Sequence, residues 1–256
     1  MKNILFGPKK DWGPQIRNVL DPARYRAAFH DFADPTLMLE DFDCIVPLCL
    51  NDYAPLRARK NERVNFLIPS EEVTTLADDK CLMNDHLVQN GFEKFVPKIY
   101  GEEVGYPFVY KKSRDEWGFH SWIVRSPDEV AALPPPAAHE TRFKQEYVSG
   151  YIEYVTHFLA VRGRPIYSLT FEHKFDSEYF IKGKWAKYIE HRKIETPCME
   201  VLAAILESLN YTGTCCFNYK YAGDVPKIFE MNPRYGATLY KDINTYLEVY
   251  LNALAA

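Results

Sequence analysis

No apolar run in this 256-residue chain approaches the ~18 residues that a membrane span needs. The stretch from Met1 to Phe6 is too short for the apolar region of a secretory signal before Gly7 and Pro8 intervene. Neither sign of charge dominates: 31 basic and 35 acidic residues leave a net charge of −4, so the basic footprint that grips duplex nucleic acid is missing. The six cysteines (Cys44, Cys49, Cys81, Cys198, Cys215 and Cys216) form no C-x-x-C pair and no Cys/His set with zinc spacing, and no G-x-S-x-G elbow is present. Such thiols are expected to be small buried apolar side chains, reduced as in the cytoplasm. These absences predict a soluble, cytoplasmic protein with neither membrane nor nucleic acid as partner; a homodimer stays open.

What remains is ordinary globular material, 47% apolar and 26% charged, long enough to bury roughly 70–75% of its unfolded surface. Short strands are expected at Asn3–Phe6, Tyr25–Phe29 and Asp43–Leu48, with a helix over Pro14–Leu20. This alternation predicts a small α/β unit over residues 1–78. From Asp79 onward the pattern changes. Asp78-Asp79 caps a helix over Lys80–Asn90, and strands follow at Pro107–Lys111, Trp122–Val124 and Phe143–Val148. Ser126-Pro127-Asp128-Glu129 has the form of a capping box, with a helix to Leu133 before the prolines at 134–136. Two hairpins are expected, one turning at Arg162-Gly163-Arg164 and one at Ala222-Gly223-Asp224, with a helix from Thr196 between them and a last helix from about Leu239. Mixed helices and antiparallel hairpins predict an α+β domain over 79–256, divided near 143/144.

The second hairpin carries the sharpest signal. In Phe229-Glu230-Met231-Asn232-Pro233-Arg234, Glu230 and Asn232 are two apart and share a strand face. Folding about Gly223 sets Asn218 nearly opposite Glu230, where facing Cβ atoms are ~4.5–5.5 Å apart. Three oxygen-bearing side chains then converge, a donor set suited to Mg2+. Arg234 is placed to hold a phosphoryl group in two-pronged fashion. The ordinary alternative is a solvent-exposed polar face with Arg234 paired to Glu230. Upstream, Lys111 ends an apolar strand and is a point charge suited to phosphate, or else a solvated lysine. Glu146 can accept from an adenine amino group, backbone near Val148 can meet the ring edge, and Glu153 can accept from a ribose hydroxyl. Both acids can equally be exposed strand charges.

The order of these pieces resembles the ATP-grasp superfamily, in particular the ATP-grasp module of carbamoyl phosphate synthetase and related carboxylate–amine ligases. The resemblance spans roughly 78–250. It rests on Asp79-Lys80 opening a helix, Phe108-Val109-Tyr110-Lys111, Gln145-Glu146-Tyr147-Val148 with Gly150 and Glu153, Tyr211-Thr212-Gly213 before Asn218, and Glu230-Met231-Asn232-Pro233-Arg234. It implies an ATP-grasp fold of two α+β subdomains behind a small preceding α/β domain that helps bind the acceptor. It implies ATP and Mg2+ as cofactors. Lys80 and Lys111 would hold the phosphates, Glu146, Tyr147 and Val148 the adenine, and Glu153 the ribose. Asn218, Glu230 and Asn232 would be the metal ligands, with Arg234 and Lys111 catalytic.

The implied reaction turns a carboxylate into an acyl phosphate with ATP and couples it to an amine, releasing ADP and phosphate. The partners would be a small carboxylate and an amine, an amino acid among the options. Alternatives are a kinase-like ATP-grasp phosphotransferase and a non-catalytic nucleotide-binding module. Three departures stand out. The loop after Lys111, Lys112-Ser113-Arg114-Asp115-Glu116-Trp117-Gly118, is poor in glycine, with Arg114 as a substitute phosphate contact. The first metal position is the amide Asn218 where many relatives carry an acid. The preceding domain is short. Trp12, Tyr53, Arg57, His173, Tyr235, Tyr240 and Lys241 are further acceptor-site candidates, each with an ordinary structural alternative.

Overall fold

The computed structural model describes residues 1–59, 65–115, 118–183 and 186–256. The first sheet is parallel: β1 (Lys2–Phe6) lies between β2 (Tyr25–Phe29) and β3 (Cys44–Val46). Between the first two strands runs α1 (Gly13–Val19), with Pro14 in its first turn, where a missing N–H costs nothing. The helices α2 (Tyr53–Ala58) and α3 (Glu71–Asp78) follow; Ser70 caps α3 by accepting from Val73 N at 3.2 Å. The sheet's alternation sends Leu5 and Ile45 to one apolar cluster, with Phe32, Leu39, Leu56 and Phe66. Ile4, Phe6, Cys44 and Val46 face the other way and join a cluster that extends through Tyr235, Tyr246 and Tyr250 near the C-terminus.

The second sheet has the order β4-β7-β5-β6, from β4 (Ile99–Tyr100), β5 (Phe108–Lys112), β6 (Ser121–Val124) and β7 (Arg142–Glu146). Before it in the chain comes α4 (Lys80–Gln89), whose Met83 and Leu87 pack with Ile228 and Met231 of the third sheet. Asp79 caps it as expected, accepting from the N–H groups of Cys81 and Leu82 at 3.0 and 3.3 Å. The expected box at Ser126 does not form. Glu129 instead accepts from Arg125 N at 2.8 Å, and α5 is the single turn Pro127–Val130, stopping short of Leu133.

The third sheet is antiparallel, in the order β10-β9-β8-β11-β12. It comprises β8 (Ile152–Val161), β9 (Arg164–Lys174), β10 (Glu190–Ile194), β11 (Gly213–Ala222) and β12 (Val225–Asn232). Both expected hairpins are present. The first turns at Arg162-Gly163, both at positive φ, and the second at Gly223-Asp224 with Gly223 at φ +62°. One face of this sheet packs on α6 (Met199–Ser208) through Phe158, Cys215, Phe217 and Tyr219 against Leu202, Ile205 and Leu206, all fully buried. At the end of the chain, α7 (Ile243–Ala255) joins the tyrosine-rich cluster. Among the described residues no helix is long and apolar enough to cross a membrane. Four elements carried no clear expectation: α2, α3, β4 and β10. The last, Glu-His-Arg-Lys-Ile, is an exposed edge strand with no apolar alternation, held by its ladder to β9.

Candidate active site

A cleft of about 850 Å3 lies between the second and third sheets. Its walls include Val109, Lys111, Ser121 and Gln145 from one sheet and Glu153, His157, Cys216, Asn218, Lys220, Glu230 and Asn232 from the other. All ten residues singled out for nucleotide, metal or catalysis line it: Lys80, Lys111, Glu146, Tyr147, Val148, Glu153, Asn218, Glu230, Asn232 and Arg234.

The floor is built by strand alternation with one irregularity. On β11, Cys215, Phe217 and Tyr219 enter the core against α6, while Cys216, Asn218 and Lys220 face the cleft. The β11–β12 ladder pairs Tyr219 with Ile228 but Asn218 with Glu230, so Phe229 is an extra, bulged residue. In a regular strand Ile228 and Glu230 would share a face. The bulge reverses the alternation, leaving Ile228 in the core and Glu230 in the cleft.

Around Glu230 the charges interlock. Asn218 and Asn232 both donate through Nδ2 to Glu230 Oε1, the latter at 3.2 Å. Lys80 Nζ lies 3.5 Å from Glu230 Oε2 and donates to Asp115 O at 3.1 Å. Lys111 Nζ donates to the bulge carbonyl, Phe229 O, at 3.3 Å and sits over the Phe143 ring. Burial raises the Glu230 carboxyl, but the Lys80 and Lys111 ammonium groups and the Asn232 amide outweigh it and hold it down to about 2. Burial, with Lys80 alongside, lowers the Lys111 ammonium to about 7 despite Glu230. Arg234 Nη2 donates to Asn232 Oδ1 at 3.4 Å. The patch thus gathers an ionised carboxylate, two amides and the basic side chains of Lys80, Lys111 and Arg234.

The other end of the nucleotide set is arranged around a lysine that the motifs did not point to. Lys220 Nζ donates to Val148 O at 3.2 Å and Gly150 O at 3.3 Å, and lies 3.8 Å from the Phe180 ring centroid. It faces the cleft two positions beyond Asn218 on the same strand face, a signal that alternation alone could have given. Burial lowers its pKa to about 8. Tyr147 stacks on Tyr179, donates to Glu178 O and accepts from Phe180 N at 3.1 Å. The Glu146 carboxylate accepts from Lys98 N at 3.1 Å. Glu153 is 4% exposed and ion-paired to Lys182 at 2.6 Å. Lys182 lies in an irregular connection without periodic pattern, which is why spacing did not reveal it.

Other candidates separate cleanly. Trp12, His173, Tyr240 and Lys241 line the cleft. Tyr53 does not; it donates to Pro233 O at 2.7 Å and thereby fixes the exit of β12. Arg57 bonds Pro69 O and Thr74 Oγ1. Tyr235 is fully buried in the C-terminal cluster. Arg114, expected as a substitute phosphate contact, is turned to Asp79 at 3.3 Å instead. Glu116 and Trp117 of the same loop lie outside the described residues. His157, which no motif marked, donates to or accepts from Thr238 Oγ1 at 2.7 Å through Nε2. Its ring rests against Gly236, where a Cβ would fall 2.4 Å from the His157 Cε1 atom; only glycine permits that approach.

The oxygen donors fit a hard cation. Glu230 would supply one carboxylate, while Asn218 and Asn232 turn Nδ2 toward it, so each amide would rotate to offer its oxygen to a cation. No group of three or more His, Cys, Asp or Glu able to hold a metal occurs among the described residues. Such a set suits one Mg2+ that also keeps phosphate oxygens and water.

No protein-family model matches the chain, and no curated protein matches it. Solved structures do. A D-alanine–D-alanine ligase from Bacillus anthracis is 14% identical, with 100% of this chain and 99% of that one covered at a TM-score of 0.65. An L-amino acid ligase from Bacillus licheniformis is 14% identical over 99% of this chain and 74% of that one, at a TM-score of 0.68. A phosphoribosylamine–glycine ligase from Thermotoga maritima is 14% identical over 98% and 75%, at a TM-score of 0.66. All three are described as ligases and share the ATP-grasp fold. The chain has the α+β ATP-grasp fold that its motifs resemble.

Proposed function

We propose that this protein is an ATP-dependent ligase that activates a small carboxylate as an acyl phosphate and couples it to an amine, with an amino acid as one option for either partner. The carrying observation is the Lys80–Lys111–Glu230–Asn232–Arg234 cluster in the cleft between the two antiparallel sheets. Neighbours of the same fold are described with ATP and with ADP.

A carboxylate is a poor electrophile because oxide would have to leave. Attack of its oxygen on the γ-phosphorus breaks the bond to the β-phosphate oxygen and releases ADP. The amine nitrogen then attacks the acyl carbon, the carbon–oxygen bond to phosphate breaks, and a proton leaves the nitrogen. Such steps need positioning and charge neutralisation more than a nucleophilic side chain.

Lys80 and Lys111 are assigned to neutralising the phosphate charge and Arg234 to gripping the transferring group. Glu230, Asn232 and Asn218 would hold Mg2+, which when bound offsets charge on the transferring phosphoryl oxygens. Glu146, Tyr147 and Val148 are assigned to the adenine and Glu153 to the ribose. In this assignment the Val148 carbonyl is shared with Lys220, and residues 1–78 contribute to the acceptor wall through Trp12. The test is a phosphate-release screen of acids against amines with Mg-ATP. Release that requires both partners is expected; release with an alcohol alone, or from no pair, would reject the ligase assignment.

A further inference from the structure

The phosphate-side residues gather over β11 and β12. Where the cleft runs past His173 on β9 toward Tyr188, Tyr240 and Lys241 it is built from different groups. Lys241 lines this end, with its Nζ 5.4 Å from the Phe171 ring centroid and in contact with His191 Nε2. His173 stacks on His191 at 6.1 Å, and Tyr188 lies 4.7 Å from His173. Among the described residues no carboxylate pairs with Lys241. The nearby acids are engaged elsewhere: Glu153 with Lys182 at 2.6 Å, and Asp242 with Tyr167 at 2.8 Å and Lys193 at 3.4 Å. Asp11, exposed and next to Trp12 in the chain, also lines the cleft.

A second observation points to a ligand. His173 is 2% exposed, lines the cleft, and its Nδ1 has no hydrogen-bond partner among the described residues. A buried polar nitrogen left without a partner costs free energy, so such groups are normally satisfied by protein, water or ligand. An ammonium without a carboxylate beside an unsatisfied imidazole, over aromatic rings that limit water, favours an anion.

Resting on the ligase assignment, we propose that the substrate filling this end of the cleft carries an anionic group, carboxylate or phosphate, that takes no part in the reaction, and that Lys241 and His173 hold it. Lys241 supplies the charge and the His173 imidazole a directed N–H. The class implied is a dicarboxylate or a phosphorylated acid or amine rather than a simple monoacid.

Calorimetric titration of matched probes tests this. Succinate is compared with butyrate and phosphoglycolate with glycolate, each with and without the non-hydrolysable analogue AMP-PNP and Mg2+. At least one dianion should bind about tenfold or more tightly than its monoanionic match, and which one does identifies carboxylate or phosphate. Lys241→Met should erase the preference and Lys241→Arg should retain it; the melting temperature of each variant checks folding. Equal binding within both pairs, no binding of either dianion, or a preference that survives in Lys241→Met overturns the proposal. Failure of AMP-PNP to bind strikes the ligase assignment instead, and leaves the anion preference measurable in the titrations without it.

Discussion

Asn218 faces Glu230 across the last hairpin because Phe229 is one residue more than a regular ladder would hold. The extra residue turns Glu230 away from the core side that Ile228 occupies, and its own carbonyl receives the Lys111 ammonium at 3.3 Å. One bulge therefore aims the carboxylate and anchors the lysine.

Replacing that carboxylate is the nearest consequence. Glu230→Gln keeps the volume and removes the charge that Lys80 approaches at 3.5 Å. Turnover should fall by about 10²–10³-fold, the range for loss of one group stabilising transition-state charge, while the far-UV circular dichroism stays that of the wild type. A variant with wild-type turnover would remove Glu230 from the machinery.

Lys111→Ala should both raise the KM for ATP and lower kcat, because the same ammonium is assigned to ground-state phosphate and to the transferring group. Lys111 is 7% exposed, so steady-state kinetics should be accompanied by a melting curve. An unchanged KM in a folded variant would place the phosphates elsewhere.

Much of this site was legible in the sequence because strands enforce a period of two. Glu230 and Asn232 had to share a face, and a turn at Gly223-Asp224 had to bring Asn218 close. The bulge was not legible: nothing in Ile228-Phe229-Glu230 announces an unpaired residue, and the cost of exposing Ile228 or burying Glu230 against α6 decides it only once the sheet is assembled. Lys220 was overlooked although the same alternation places it beside Asn218. Lys182 and the partner of Arg114 depend on irregular segments, where contacts between distant residues rather than local pattern set the geometry. Of the fold, the hairpins and the Asp79-capped helix α4 were readable from turn and cap residues; the Ser126 box and the Ser70-capped α3 were not read correctly, and β10 was not readable, since an exposed edge strand needs no apolar pattern.

Acid stability should report the buried imidazoles. Burial, with Lys182 nearby, lowers His157 to about 3; burial, then Lys182, His191, His157 and Lys241, lowers His173 to about 3. The unfolded chain binds protons at these rings near pH 6.5. Above that pH both states are neutral and the contribution is fully present. As pH falls toward 3 the unfolded state takes up protons first, and stability is lost, on the order of a few kcal/mol per ring. Urea midpoints should therefore drop between about pH 6.5 and 3, and His173→Phe should flatten part of that slope.

Cys215 separates stability from chemistry. It is fully buried against α6, on the opposite face from Cys216 of the cleft. Cys215→Ser should lower unfolding free energy by about 1–3 kcal/mol, for a hydroxyl without a partner, and leave kcat within about twofold. Loss of rate in a folded Cys215→Ser protein would tie the thiol to turnover.

Isotope transfer addresses the acyl phosphate most directly. For an acid–amine pair that turns over, the acid is supplied with both carboxylate oxygens as oxygen-18 and the released phosphate is examined by mass spectrometry. The ligase assignment predicts one labelled oxygen in each phosphate, carried from the carboxylate when the carbon–oxygen bond breaks. Phosphate released without label would contradict it.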